Sequence, residues 1–337
     1  MNDVLEFRVN HFDNIFVVFD FSKMKVIFVA SGNKAVGSVS AFVQSQFDSL
    51  KEEGLEMVLF PVVGHGAKSY LKSAWKLRKL VKKEQPDIVH AHYSICGYVA
   101  TMATLFLKPK AVVSILGSFP RKTRKLRIVK FFVNHLWDKT IVKSQRTANQ
   151  MGMALPVIPN GVNLEQFTLI DQKEARKMVG FEADKKYVVW CSNPERSEKR
   201  FPLAKQSVDL LDNERVELVP VFNRTHDEVV KYMCAADVQL MTSVMEGSPN
   251  VIKEAMACNC PIVTTDVGDV RWVTDGVEGT FVADDDKPET IARLIKQALD
   301  FNARTKGRER IIQEGLTTEL IAEKIITIYK DVVICQN

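Results

Sequence analysis

The sequence predicts an α/β protein built from two parallel, doubly wound sheets arranged in tandem. Three observations predict it. Short β-branched runs alternate with amphipathic segments in two successive cycles. The 337 residues exceed what one core usually serves. The turn-rich stretch VIPNGVNLEQF separates the cycles.

The first cycle begins at Met24. A strand KVIFVAS leads into a helix with Val39, Phe42, Val43, Phe47 and Leu50 on one face and Gly54 just beyond it. Then come the strand EMVLFPV, the lysine-studded helix YLKSAWKLRKLVKKE, the strand DIVHAHY, a further helix and the strand AVVSIL. The second cycle runs KYVVWCS, RFPLAKQSVDLLD, ELVPVF, THDEVVKYMCAA, VQLMTS, NVIKEAMA and PIVTTD, strand and helix in turn. Each cycle is Rossmann-like. Residues 24–165 form the first expected domain and 166–337 the second, whose last helix is allowed to cross back to the first. Residues 1–23 are read as a peripheral addition or an upstream start. Ligands of such sheets bind beyond the carboxyl ends of the strands, so two facing domains are expected to share a cleft.

Composition narrows the function classes. With 46% hydrophobic and 26% charged residues the chain is of ordinary globular type, and no run approaches the roughly 18–20 apolar residues of a spanning helix. The start MNDVLEFRVNHFDNIFVVFDFSK has acids early and no small-residue cleavage site, so a cytoplasmic location is expected. Six scattered cysteines, with only Cys258 and Cys260 close, read as free thiols rather than zinc ligands. Charge is uneven: residues 1–165 hold 23 Lys+Arg against 12 Asp+Glu, and residues 166–337 hold 23 against 29. The basic half suits anionic lipid or a phosphorylated acceptor, and no recognised nucleic-acid module appears in it. Within it, residues 120–132 interleave Arg121, Lys122, Arg124, Lys125, Arg127 and Lys130 with apolar residues, a pattern suited to a bilayer surface.

The most informative stretch is EGSPNVIKEAMACNCPIVTTDVGDV, where Glu246 and Glu254 flank a Gly-Ser-Pro-Asn turn. Ser248 is the expected N-cap and Pro249 the first helical residue, which aims free amides and a positive dipole end at an anion such as phosphate. Gly247 allows close approach to the backbone. Glu254 lies nearly two turns inside the helix, so the acids cannot touch; they suit hydroxyls at two points of one extended ligand, a sugar and a ribose. In VVWCSNPERSEKRF, Asn193, Arg196, Lys199 and Arg200 occupy a strand-to-helix loop whose cations could meet a diphosphate.

EGSPNVIKE is similar to the E-x7-E signature of retaining glycosyltransferases of family 4, which have the GT-B fold. PDIVHAHYSICGY, VIPNGVNLEQF and EAMACNCPIVTTDVGDV match as well, so the resemblance covers Met24 to about residue 330. It implies Glu246 on donor-sugar hydroxyls, Glu254 on the nucleotide ribose, and Gly247, Ser248, Pro249 and Asn250 around sugar and phosphate. It also implies Arg196 and Lys199 on the diphosphate, Phe222 and Asn223 in the base-binding loop VFNRTH, and Gly37 in the first loop, SGNKAVGS. Three positions depart from the family pattern: Leu116 and Phe119 stand where a polar pair is common, the Arg-to-Lys spacing in PERSEK is short, and Trp272 replaces a frequent glutamate.

His90 and His92 are read as facing different sides of their strand, His90 structural and His92 on the acceptor side. The reading is a cytoplasmic transferase moving a sugar from a nucleotide-diphosphate donor to a sugar or lipid-linked acceptor hydroxyl, with retention, in cell-surface polysaccharide or glycolipid synthesis. No metal or other cofactor is expected, since cations and the helix start can stabilise the leaving diphosphate. The rival readings are a nucleotide-sugar epimerase and a catalytically silent nucleotide-sugar-binding module.

Overall fold

A computed structural model describes residues 4–5, 19–20, 23–33, 37–117 and 123–334. Most of the 1–23 segment, Phe119, Arg121, Lys122 and Cys335 therefore lie outside the described residues. β1 (Val4–Leu5) and β2 (Phe19–Asp20) pair antiparallel.

The first large unit takes residues up to Lys143, Ala148–Ile158 and Glu319–Asn337. It runs β3 (Lys25–Ser31), α1 (Ala41–Glu52), β4 (Glu56–Val62), α2 (Ala67–Glu84), β5 (Ile88–His92), α3 (Ser94–Thr104), β6 (Lys110–Ile115), α4 (Arg124–His135) and β7 (Lys139–Val142), followed by α5 (Gln145–Met151). All pairs are parallel, in the order β4-β3-β5-β6-β7. β3, β5 and β6 are buried almost throughout, as strands covered on both faces must be, which explains their unbroken apolar runs.

The second unit, residues 144–147 and 159–318, contains α6 (Gln172–Val179), β8 (Lys186–Trp190), α7 (Phe201–Asp209), β9 (Val216–Pro220), α8 (His226–Ala235), β10 (Val238–Met241), α9 (Asn250–Ala257), β11 (Ile262–Thr265), α10 (Val270–Val273), β12 (Thr280–Ala283), α11 (Pro288–Phe301) and α12 (Gly307–Gln313). Its strands are parallel in the order β12-β11-β10-β8-β9. Val188, Leu240, Val263 and Ile295 meet in its core. α8 starts on a complete capping box, with the Thr225 hydroxyl on the Glu228 amide and the Glu228 carboxylate on the Thr225 amide. The last helix, α13 (Thr318–Ile334), belongs with the first unit.

Two expectations change. α1 begins at Ala41, so Val39 precedes it, and the buried side of α1 includes Gln46 as well as Val43 and Leu50. Gln46 is buried because its Oε1 meets His92 Nε2 at 2.8 Å. The two histidines of β5 do not face different sides. Residues two apart on a strand share a face, and the rings of His90 and His92 lie 4.5 Å apart, both fully buried. His90 bridges Ser114 Oγ at 2.8 Å and Tyr329 Oη of α13 at 2.5 Å. Burial holds both rings well below the usual imidazole pKa, so both are neutral near pH 7.

Tyr329→Phe leaves a fully buried imidazole nitrogen without its partner. It is expected to cost about 1–3 kcal/mol, read as a lower urea midpoint at unchanged slope.

Candidate active site

The second unit gathers three loops beyond the carboxyl ends of β8, β10 and β11. Side-chain hydrogen bonds fix them to one another. Thr242, just past β10, donates its hydroxyl to Lys199 O at 2.8 Å and accepts from the Trp190 indole at 3.0 Å. Arg200 adopts a left-handed backbone, φ +54, and its guanidinium returns to Thr242 O and Ser243 O at 2.7 and 3.1 Å. Val244 N donates to Glu198 O, and Thr265 Oγ1 ties the β11 loop to Ser243 O. A bulky residue in the left-handed region is strained, and the strain persists here because Arg200 is held through its guanidinium and through its carbonyl, which accepts from Thr242 Oγ1 at 3.1 Å.

This stitching brings Lys199 and Glu246 together, Nζ to Oε1 at 2.5 Å, both only 18% exposed. Arg196 is not brought to them. Its guanidinium turns to Glu198 Oε1 at 2.5 and 2.8 Å, and the side chain is 55% exposed. Asn193 uses its Oδ1 to accept the Glu195 amide, a turn that shapes the loop. On the β9 loop, Phe222 is 49% exposed and Asn223 takes a left-handed backbone, φ +57.

The start of α9 differs from the expected cap. Pro249 is the N-cap residue, the helix proper begins at Asn250, and Ser248 does not cap it. The reason is that the Ser248 hydroxyl is already saturated: it donates to Asp269 Oδ2 at 2.6 Å and accepts from Lys253 Nζ at 2.6 Å and from Asn160 N at 3.3 Å. The Asn160 amide adds bonds to Ser248 O and Asn250 Oδ1. Lys253 is 1% exposed, and its ammonium reaches Asp269 Oδ2 at 3.4 Å. Gly268, φ +60, closes the contact: a Cβ there would sit 2.6 Å from Gly247 O. Lys253, Asp269 and Asn160 were not singled out from the sequence. The available signal was the lysine beside Ile252 at the start of an apolar helix, with an aspartate one residue past a glycine turn.

Glu254 is partly buried and makes no ion pair or hydrogen bond through its carboxylate among the described contacts. Burial pushes its carboxyl pKa up to about 7 against the pull of Lys253. Burial first, and the Glu254 charge second, raise the Cys191 thiol well above its usual value.

In the first unit, Gly37 has φ +86 and open space where a Cβ would be, with its amide on Gly32 O. His92 is fully buried. Leu116 follows β6, partly buried.

Comparison with known proteins identifies the class. Residues 173–300 match the family described as glycosyl transferases group 1, and residues 37–166 match Glycosyltransferase Family 4. The chain belongs to the group 1, family 4 glycosyltransferases, and its two parallel five-stranded sheets are the two Rossmann-like domains of the GT-B fold. It is 23% identical to the UDP-Gal:alpha-D-GlcNAc-diphosphoundecaprenol alpha-1,3-galactosyltransferase of Escherichia coli, over 78% of this chain and 80% of that protein. It is also 23% identical to the N-acetyl-alpha-D-glucosaminyl L-malate synthase of Bacillus anthracis, over 78% and 79%. A Bacillus subtilis protein named for teichuronic acid biosynthesis, TuaC, is 26% identical over 55% of this chain; the match spans about half, 54%, of that protein. Among solved structures, the sucrose-phosphate synthase of Thermosynechococcus elongatus superposes with a TM-score of 0.77 at 16% identity, covering 93% of this chain and all of that one. HepE of Anabaena, in complex with UDP, gives 0.73 at 15%, covering 91% and 100%.

Two outcomes test this geometry. Lys253→Met leaves the buried Asp269 carboxyl without its cation, so it is expected to destabilise by about 3–5 kcal/mol, with part recovered in Lys253→Met/Asp269→Asn. For Glu254 the folded pKa is raised, so its contribution to stability is complete below the unfolded value of 4.5 and lost as pH rises through about 7. Glu254→Gln is therefore expected to raise stability at pH 8 by about 1–3 kcal/mol, the gain shrinking toward pH 5, as read by thermal melts across pH.

Proposed function

We propose that this chain transfers a sugar from a nucleotide-diphosphate donor to an acceptor hydroxyl with retention of anomeric configuration. The observation that carries the reading is the Lys199–Glu246 pair, set beside the Gly247–Asn250 turn with the buried carboxyl of Glu254 further along α9. Donor binding gives Lys199 a diphosphate in place of Glu246 and frees Glu246 for sugar hydroxyls. Glu254 takes the ribose, the amides of Gly247, Ser248 and Asn250 face sugar and phosphate, and Phe222 and Asn223 flank the base. Arg196 joins the diphosphate by leaving Glu198. Gly37 keeps its assignment to the first loop, and His92 its assignment to the acceptor side, which needs the buried imidazole to become accessible.

In the reaction, the acceptor oxygen bonds to the anomeric carbon as the bond from that carbon to the phosphate oxygen breaks. The acceptor proton passes to the departing diphosphate. Lys199 and the amide dipoles stabilise the charge that develops there, so the chemistry needs neither a protein nucleophile nor a resident metal. UDP in the HepE complexes and the UDP-Gal named for the E. coli relative make UDP-sugars the first donors to try. The diphosphoundecaprenol and teichuronic acid in the relatives' names support an acceptor in cell-surface polysaccharide or glycolipid synthesis, lipid-linked or sugar.

Labelled donor sugars distinguish transfer or slow hydrolysis from epimer formation and from binding without turnover. Glu246→Gln is expected to lower kcat by about 100-fold or more with nucleotide affinity changed less than threefold, whereas Glu254→Ala weakens the nucleotide by about tenfold. Turnover is expected to survive EDTA. Wild-type kinetics in both variants contradict the assignment.

A further inference from the structure

The interleaving of basic and apolar residues in 120–132 continues beyond that segment. α2, α3 and α4 lie side by side on one face of the first sheet, because the crossovers β4 to β5, β5 to β6 and β6 to β7 all step the same way across it. Their inner sides supply Leu77, Val99 and Val129 to one core. Their outer sides do not hide their apolar residues. On α2, Leu71 and Trp75 are each 60% exposed, on the same face as exposed Lys68, Lys72, Lys76 and Lys79. The Lys79 ammonium lies 3.6 Å from the centroid of the Trp75 ring.

The turn after α3 is the more telling place. Phe106 is 92% exposed, and its backbone sits at φ +61, where a glycine or asparagine is the easy choice. The ring gains no burial from a conformation that strains the chain. Arg78 of α2 holds this turn by donating to Ala103 O and Leu105 O, both at 2.9 Å, so the two helices present their exposed aromatics on one surface. α4 extends it with exposed Ile128 and Phe131 beside Arg124 and Arg127. No acid occurs in residues 67–83, 94–110 or 123–135, and Glu84 at the end of α2 is engaged by Lys25 and Lys83.

We propose that this outer face docks on an anionic lipid bilayer, with Trp75 and Phe106 entering the headgroup boundary and the lysines of α2 meeting lipid phosphates. The composition favours a bilayer over a protein partner. Lysine is depleted at protein interfaces, whereas lysine stems flanking Trp, Phe and Leu side chains suit a headgroup layer, where the charged ends stay in water. The exposed apolar residues form a band across α2, the end of α3, where Met102, Leu105 and Phe106 are exposed together, and α4. The surface complements a lipid-linked acceptor but does not depend on the transfer reaction, since docking is measured without donor or acceptor.

The test is co-sedimentation of the full chain with vesicles of phosphatidylcholine alone or with about 30 mol% phosphatidylglycerol. Retention is expected on the anionic vesicles, weakened by salt, and absent on the neutral ones. Trp75→Ser/Phe106→Gly is expected to lower that retention by about tenfold or more while melting no earlier than wild type, since glycine relieves the backbone at 106. Lys72→Glu/Lys76→Glu/Lys79→Glu is expected to abolish it. No retention on anionic vesicles, equal retention on neutral ones, or wild-type retention by the Trp75/Phe106 variant would overturn the proposal.

Discussion

The second unit depends on one hydroxyl. Ser248 Oγ uses its single proton on Asp269 and both lone pairs on Lys253 and Asn160. That arrangement neutralises a buried ammonium with a buried carboxylate and joins the turn before α9, the turn after β11 and the Pro-Asn-Gly segment at residues 159–161. A lysine at 1% exposure is costly unless its partner and remaining protons are accommodated, and here hydroxyl and carboxylate converge on it. Gly268 completes the arrangement, because any side chain there would strike the Gly247 carbonyl.

The charges that meet the proposed donor follow from this rigid seat. Glu246 projects just before the knot, where the loop pinned by Thr242 and Arg200 brings Lys199 to it. The two charges compensate one another on a loop anchored by side-chain hydrogen bonds, an arrangement that suits the preorganised electrostatic stabilisation of the proposed reaction. Glu254 sits differently. Its carboxyl is desolvated and has no ion-pair partner among the described residues, at a cost to stability above neutral pH, a pattern expected of a group kept for a ligand rather than for folding.

Much of the architecture was legible because parallel strands buried on both faces read as unbroken apolar runs. KVIFVAS, DIVHAHY and KYVVWCS each hold a strand where the pattern placed it. β7 and β12 were not singled out, although β10 and β11, strands of the same length, were. Local rules failed where tertiary partners competed. Ser248 has the chemistry of an N-cap, but a buried lysine and aspartate claim its hydroxyl. Gln46 belongs by polarity on the outside of α1, but His92 draws it in. The histidine pair was misread because strand periodicity puts residues two apart on the same face. Arg196 shows the remaining limit: the loop was recognisable, yet nothing in PERSEK says that the arginine pairs with Glu198.

A crystal structure of the chain with a nucleotide-diphosphate sugar tests the central claim most directly. The account predicts the diphosphate within hydrogen-bonding distance of the Lys199 ammonium and the amides after Glu246, with the ribose hydroxyls on Glu254 and the Ser248–Lys253–Asp269 knot unchanged. A donor bound elsewhere, or one that leaves the Lys199–Glu246 pair intact and Glu254 without a partner, would contradict it.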